Sequence, residues 1–160
     1  MRINQKGVGL VEVLVALVLL SIAVLGFVAL QLRAVEASVE AGMNLQASNL
    51  AMDLAERMRV NRDGLSGYAA NNDTDNCVTS FCSATAMAKY DFRRVVSQAS
   101  NLGMNINVLN CQGSTLVRKC IYVAWGGTTA TNGTGSSDCT NGSAYVPSAK
   151  CIIMEVYNYD

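Results

Sequence analysis

The chain contains no histidine. That absence removes the commonest general base and the commonest metal ligand together. No phosphate-binding glycine loop, dinucleotide fingerprint or zinc-protease helix is present either. With no nucleophile–base pair and no ligand set, the sequence points away from an enzyme and implies no cofactor and no metal. An excess of charge of one sign is missing too: 12 lysines and arginines face 12 aspartates and glutamates over 160 residues. A neutral chain without a basic, aromatic-rich patch has no field to recruit nucleic acid. Proline occurs once, at Pro147, so no proline breaks the long amino-terminal pattern.

What the chain does have is one long apolar run. Between Val8 and Leu32 the only charged residue is Glu12. A run of about 18 or more apolar residues can cross a bilayer as a helix. A carboxylate inside such a run is costly, which makes Glu12 a functional candidate. It lies about 6 Å into the span at the helical rise. Ahead of the run, residues 1–7 carry Arg2 and Lys6 and no acid. The positive-inside rule keeps that end in the cytoplasm and exports everything after the span. An ordinary secretory signal fits poorly, because its apolar region is about 7–15 residues long and precedes a small-residue cleavage site. Here the run is longer and is followed by Gln31, Leu32 and Arg33. A plain single-pass anchor would leave Glu12 without a reason.

Residues 33–62 continue the helix without a breaker. Val35, Val39, Met43, Leu50, Leu54 and Met58 form one apolar stripe that a head domain would cover. Asp53 and Arg57 stand four apart, within reach of each other on a helix. Arg57, Arg59 and Arg62 gather where cations suit the helix dipole; the segment could also touch a neighbouring subunit. Gly64, Ser66 and Gly67 end the helix. From Val8 to Asn61 it would extend about 80 Å.

Beyond it, residues 63–84 read as loop. A second helix is expected from Thr85 to Leu102, with Ser83 as N-cap and Gly103 just past its end. Strands are expected around Ile106–Leu109, over Thr115–Trp125, and over residues 150–159. Residues 126–144 are rich in glycine, serine, threonine and asparagine and read as a surface loop without core. Helices followed by consecutive strands indicate α+β.

Six cysteines, Cys77, Cys82, Cys111, Cys120, Cys139 and Cys151, all follow the apolar run. An even set in an exported domain reads as disulfides. Zinc would need closer pairs than the nearest spacing here, C-x4-C. Six cysteines allow 15 connectivities. Pairing in chain order would close three short loops, 77–82, 111–120 and 139–151, each bridge stabilising by about 2–4 kcal/mol.

A basic leader, Gly7, an apolar helix and a glutamate at the fifth position after the glycine together resemble the signal of type IV prepilins. That resemblance implies cleavage after Gly7 by a prepilin peptidase and methylation of the new terminus, Val8, where the family usually has phenylalanine. It implies that Glu12 meets the positive amino terminus of a neighbouring subunit during assembly. The family often has a proline in this helix, and this chain has none there. A-E-R-M-R-V-N-R at residues 55–62, C-S-A-T-A-M-A-K-Y-D at 82–91 and Y-V-A-W at 122–125 are similar to segments of the PilV group of type IV pilus modification proteins. Cys139 and Cys151 are similar to the carboxy-terminal disulfide of many pilins.

The expectation is therefore a minor type IV pilin. Residues 1–7 are a cleaved leader, 8–32 a transmembrane and filament-core helix, 33–62 its continuation packed on the head, and 63–160 the exported head. The long helix would pack on a small antiparallel, disulfide-linked sheet. Implied partners are the major pilin and other minor pilins through the helix, the prepilin peptidase, the inner-membrane assembly machinery, and the membrane itself before assembly. The implied site is the inner membrane, with the head periplasmic, and then the pilus at the cell surface, where pili serve cell adhesion. A pseudopilin of a type II secretion system shares the leader, helix and glutamate and is the alternative. A tethered binding module using the loop Gly126–Ala144 is a rival of another class.

Overall fold

The structure, a computed structural model, describes residues 7, 9–69, 76–113 and 118–156. The chain divides into two compact units, Met1–Ala41 and Gly42–Asp160. One helix, α1 (Leu10–Val60), contributes to both; it has 51 residues. Its length follows from the absence of proline and of any glycine that must leave the helical region. From Leu10 to Val39, in the first unit, its residues are exposed on every side, apolar ones included.

In the second unit α1 buries Ala47, Leu50, Ala51, Leu54, Ala55 and Met58, with Met43 packed at the margin. The expected stripe is corrected at its start, since Val35 and Val39 are each 62% exposed. It is also flatter than expected. A period read from large side chains misses alanine, and three of the buried positions are alanines.

The segment expected as loop after α1 holds a 3-10 helix, Arg62–Ala69. Gly64 and Gly67 do more than stop α1. A Cβ on Gly64 would overlap the Ala84 carbonyl oxygen, and one on Gly67 would come within 2.7 Å of the Thr85 carbonyl oxygen. The two glycines let this turn lie directly on the start of α2 (Ala84–Asn101). Asn71, Asn72, Asp73 and Asp75, expected in a loop, lie outside the described residues. The Ser83 hydroxyl caps α2 by accepting from the Ala86 N–H at 3.3 Å. Gly103, at φ +70°, follows the helix in the left-handed region that favours glycine.

Three strands form the main sheet: β1 (Met104–Asn110), β2 (Lys119–Trp125) and, after the intervening strands, β6 (Cys151–Val156). The order is β1–β2–β6, antiparallel throughout, with Val108 opposite Ile121 and Ile121 opposite Met154. Residues 115–117 and 157–159, expected as strand, lie outside the described residues. Central β2 is buried on both faces. Ile121, Val123 and Trp125 join the α1 and α2 core, while Cys120, Tyr122 and Ala124 pack on the opposite side with Ala130 and Cys139. A strand covered on both faces loses the polar–apolar alternation of a half-exposed one, and K-C-I-Y-V-A-W reads that way.

What covers the back of β2 is the stretch expected to be a surface loop. It folds as β3 (Thr129–Asn132), β4 (Asp138–Asn141) and β5 (Ala144–Tyr145) in a second sheet of order β3–β4–β5. β3 and β4 run parallel, unlike every other pair described. The composition argument fails here because the segment needs to bury only Ala130 and Cys139 against a partner already apolar. Its buried polar groups are satisfied: the Thr128 hydroxyl accepts from the Lys150 N–H at 2.9 Å, and the Thr140 hydroxyl donates to Asn132 Oδ1 at 2.9 Å.

Candidate functional site

At the amino-terminal end, Gly7 is exposed, with open space where a side chain would stand. Val8, the expected new terminus, lies outside the described residues. Glu12 sits in the first turn of α1, where its N–H and that of Val13 both bond the Gly9 carbonyl, at 3.0 and 3.3 Å. Its carboxylate makes no hydrogen bond or ion pair among the described residues, and it is exposed. Leu10 to Leu32 are exposed around it. The helix is long and apolar enough to cross a membrane. An exposed surface of this size is suited to lipid or to like helices, and Glu12 is the one charge it carries.

At the other end of α1, Arg57 holds three elements together. Its guanidinium donates to Asp53 at 3.0 Å and to Asp91 of α2 at 2.7 Å. Its carbonyl accepts from the Tyr68 hydroxyl at 2.9 Å. Burial works against the Arg57 charge, but the hydrogen bonds and attraction of the two carboxylates outweigh it and hold its pKa above the ordinary value. Burial pushes the Tyr68 phenol up to about 12. The sequence predicts the Asp53 pair from spacing alone. It carries no local signal for Asp91 or Tyr68, which arrive from 34 and 11 positions away.

Residues 2–28 match the model of the prokaryotic N-terminal methylation motif, and residues 29–93 match that of the type IV pilin Tt1218 family. The first match contains Gly7, Val8 and Glu12; the second contains Arg57, Tyr68 and Asp91. The chain is a type IV pilin. No curated protein and no solved structure matches it. The matches end within α2, so the sheets of this pilin are known from its own structure.

The six cysteines of the pilin pair in chain order, Cys77–Cys82, Cys111–Cys120 and Cys139–Cys151, with Cα separations of 5.5, 5.0 and 5.9 Å. The second ties the ends of β1 and β2. The third ties buried β4 to β6 and so clamps the small sheet onto the large one. Asp138 organises the turn between β3 and β4. It accepts from the Thr131 hydroxyl and from the Gly135 N–H at 2.8 Å. These bonds, that from Thr131 foremost, hold its pKa below the ordinary carboxylate value. Among the described residues no cluster of three or more histidine, cysteine or acidic side chains is arranged to hold a metal ion.

Proposed function

We propose that this pilin is a minor subunit of a type IV pilus, entering the fibre or the complex that initiates it. It is made as a prepilin and held in the inner membrane by residues 8–32, with the leader cytoplasmic and the head periplasmic. The prepilin peptidase cuts after Gly7, and Val8 becomes the methylated terminus. The helix then leaves lipid and packs among the helices of the major pilin and other minor pilins. The observation that carries this reading is the exposed apolar half of α1 with a single carboxylate, Glu12, three residues past Gly9. Once the helix is surrounded by others, that carboxylate must be paired, and the positive terminus of a neighbour is a partner of the right sign at the right end. The minor role is supported by the segments at 55–62 and 82–91.

The test is intact mass and amino-terminal sequencing of membrane-extracted protein, followed by its location in sheared fibres. A mature chain beginning at Val8 and recovered with fibres is expected. A chain beginning beyond Leu32 would overturn the reading. Retention in the membrane, with loss of secreted proteins on deletion, would move it to a secretion pseudopilus.

A further inference from the structure

Asparagine precedes glycine twice in the chain, in nearly identical settings: Thr131-Asn132-Gly133-Thr134 and Thr140-Asn141-Gly142-Ser143. Such a pair can rearrange without an enzyme. The backbone nitrogen of the glycine attacks the side-chain carbonyl carbon of the asparagine. A carbon–nitrogen bond forms, the bond from that carbon to the amide nitrogen breaks, and ammonia leaves with the proton of the backbone N–H. Water then opens the succinimide at either carbonyl and leaves aspartate or isoaspartate. No electron is transferred, and water is the one co-reactant. Glycine favours the attack because no side chain crowds its nitrogen.

By sequence the two sites should react alike; the structure separates them. Asn132 is half-buried at the end of β3. Its side-chain oxygen accepts from the Thr140 hydroxyl at 2.9 Å. The nitrogen that would attack it, that of Gly133, donates to the Thr140 carbonyl at 3.0 Å. The Asp138 carboxylate stands where a Cβ of Gly133 would be. A negative charge there opposes loss of the proton from the Gly133 nitrogen. Both partners of the attack are held.

Asn141 is held by nothing comparable. It ends β4 opposite Ala144, so Gly142 and Ser143 alone make the hairpin loop. Gly142, at φ +62°, has the left-handed conformation that such two-residue turns use. Asn141 and Gly142 are exposed, and a Cβ on Gly142 would meet nothing within 4 Å. The Asn141 side chain makes no hydrogen bond among the described residues. Beyond the turn, β5 has two residues, both exposed, paired to Thr140 and Asn141. So short and exposed a ladder opens at low cost, and its opening lets the side chain reach the Gly142 nitrogen.

We infer that Asn141 is a site of spontaneous modification, converted to aspartate and isoaspartate in the folded protein, while Asn132 is protected. The inference goes beyond the assembly role and does not depend on it. Asn141 lines a hollow of about 560 Å³ with Thr134, Ser136 and Tyr145, and no charged residue lines it. Conversion places a carboxylate there, and the isoaspartyl form also lengthens the backbone between the β4 and β5 pairs.

The oxidised full-length chain in detergent is incubated in mildly alkaline water enriched in heavy oxygen, beside the same chain reduced and held in urea. Peptide mapping, with fragmentation that separates aspartate from isoaspartate, reads each site. In the folded chain solvent oxygen should enter position 141 at least about tenfold faster than position 132, the factor that one hydrogen bond and a neighbouring charge withhold. In urea the two rates should converge. Asn141→Gln, whose longer side chain must close a larger ring, should lose the label at that position and keep its disulfides. Equal rates in the folded chain, faster entry at 132, or no entry at 141 while the unfolded chain reacts would each overturn the inference. A difference that persists in urea would trace it to sequence and overturn it as well.

Discussion

Arg57 reaches Asp91 at 2.7 Å across 34 positions of sequence while keeping Asp53 of its own helix at 3.0 Å. The two bonds differ in kind. Asp53 is a helix neighbour, 40% exposed, and its bond is screened by solvent; Asp91 is only 13% exposed. The bond to Asp91 joins the end of α1 to the middle of α2, and the Tyr68 hydroxyl adds the 3-10 helix through the Arg57 carbonyl.

A double-mutant cycle of Arg57→Ala and Asp91→Ala should give a coupling of about 1–2 kcal/mol, between the values for exposed and buried pairs. The Asp53→Ala partner in the same cycle should give under about 0.5 kcal/mol. Thermal unfolding of the oxidised protein measures both. Equal couplings would mean that Asp91 is no better shielded in solution than Asp53.

Two glycines should respond in opposite directions to alanine. At Gly64 the new Cβ overlaps the Ala84 carbonyl oxygen. Backbone cannot step aside as a side-chain tip can, so a loss of about 1–3 kcal/mol is expected. At Gly42, inside α1, a Cβ meets nothing within 4 Å, and alanine should add up to about 1 kcal/mol through helix propensity. Calorimetric unfolding of the two variants settles the contrast. A Gly64→Ala protein as stable as its parent would show that the 3-10 helix does not lie against α2 so closely.

Glu12→Val should leave the head folded and its disulfides formed, because the Glu12 carboxylate makes no hydrogen bond or ion pair among the described residues. Membrane retention should persist, since a cost of burying charge is removed. Incorporation into fibres should fall at least tenfold, given ~3–5 kcal/mol for a buried pair that loses one partner. Glu12→Gln keeps hydrogen bonding without charge and should recover little. The quantity to measure is the ratio of protein in sheared fibres to protein in membranes. A ratio unchanged by Glu12→Val would leave Glu12 as a tolerated charge at the membrane edge.

Acid should loosen the turn that Asp138 organises. Its pKa is lower in the folded chain than in the unfolded one. Its contribution is therefore present above the unfolded value and lost as pH falls through the folded value, which places the change below about pH 4. Protection of the Gly135 amide from exchange, taken relative to the intrinsic rate and followed against pH, should fall there in the parent. In Asp138→Asn that protection should be low already and should not change over the same range. Identical profiles for the two proteins would remove Asp138 from the turn's support.

The sequence by itself determined the features that local chemistry decides. The reach of α1 follows from an apolar run with no proline, the ends of α2 from Ser83 and Gly103, and the strand that ends at Trp125 from its β-branched and aromatic residues. Glu12 stood out because one charge in such a run has no local compensation. What the tertiary structure decided depends on groups far apart in the chain. Asp91 looks like an ordinary surface acid until α2 turns back along α1 and places it over Arg57. Gly64 looks like a helix stop until the Ala84 carbonyl occupies the space of its missing side chain. Residues 129–141 look like loop because their own composition buries little. They become sheet because β2 already presents Tyr122 and Cys120 on its back face, and because Cys139 is tied to Cys151. Cysteine pairing is of the same kind: an even count says only that bridges form, and which sulfurs meet depends on strand register.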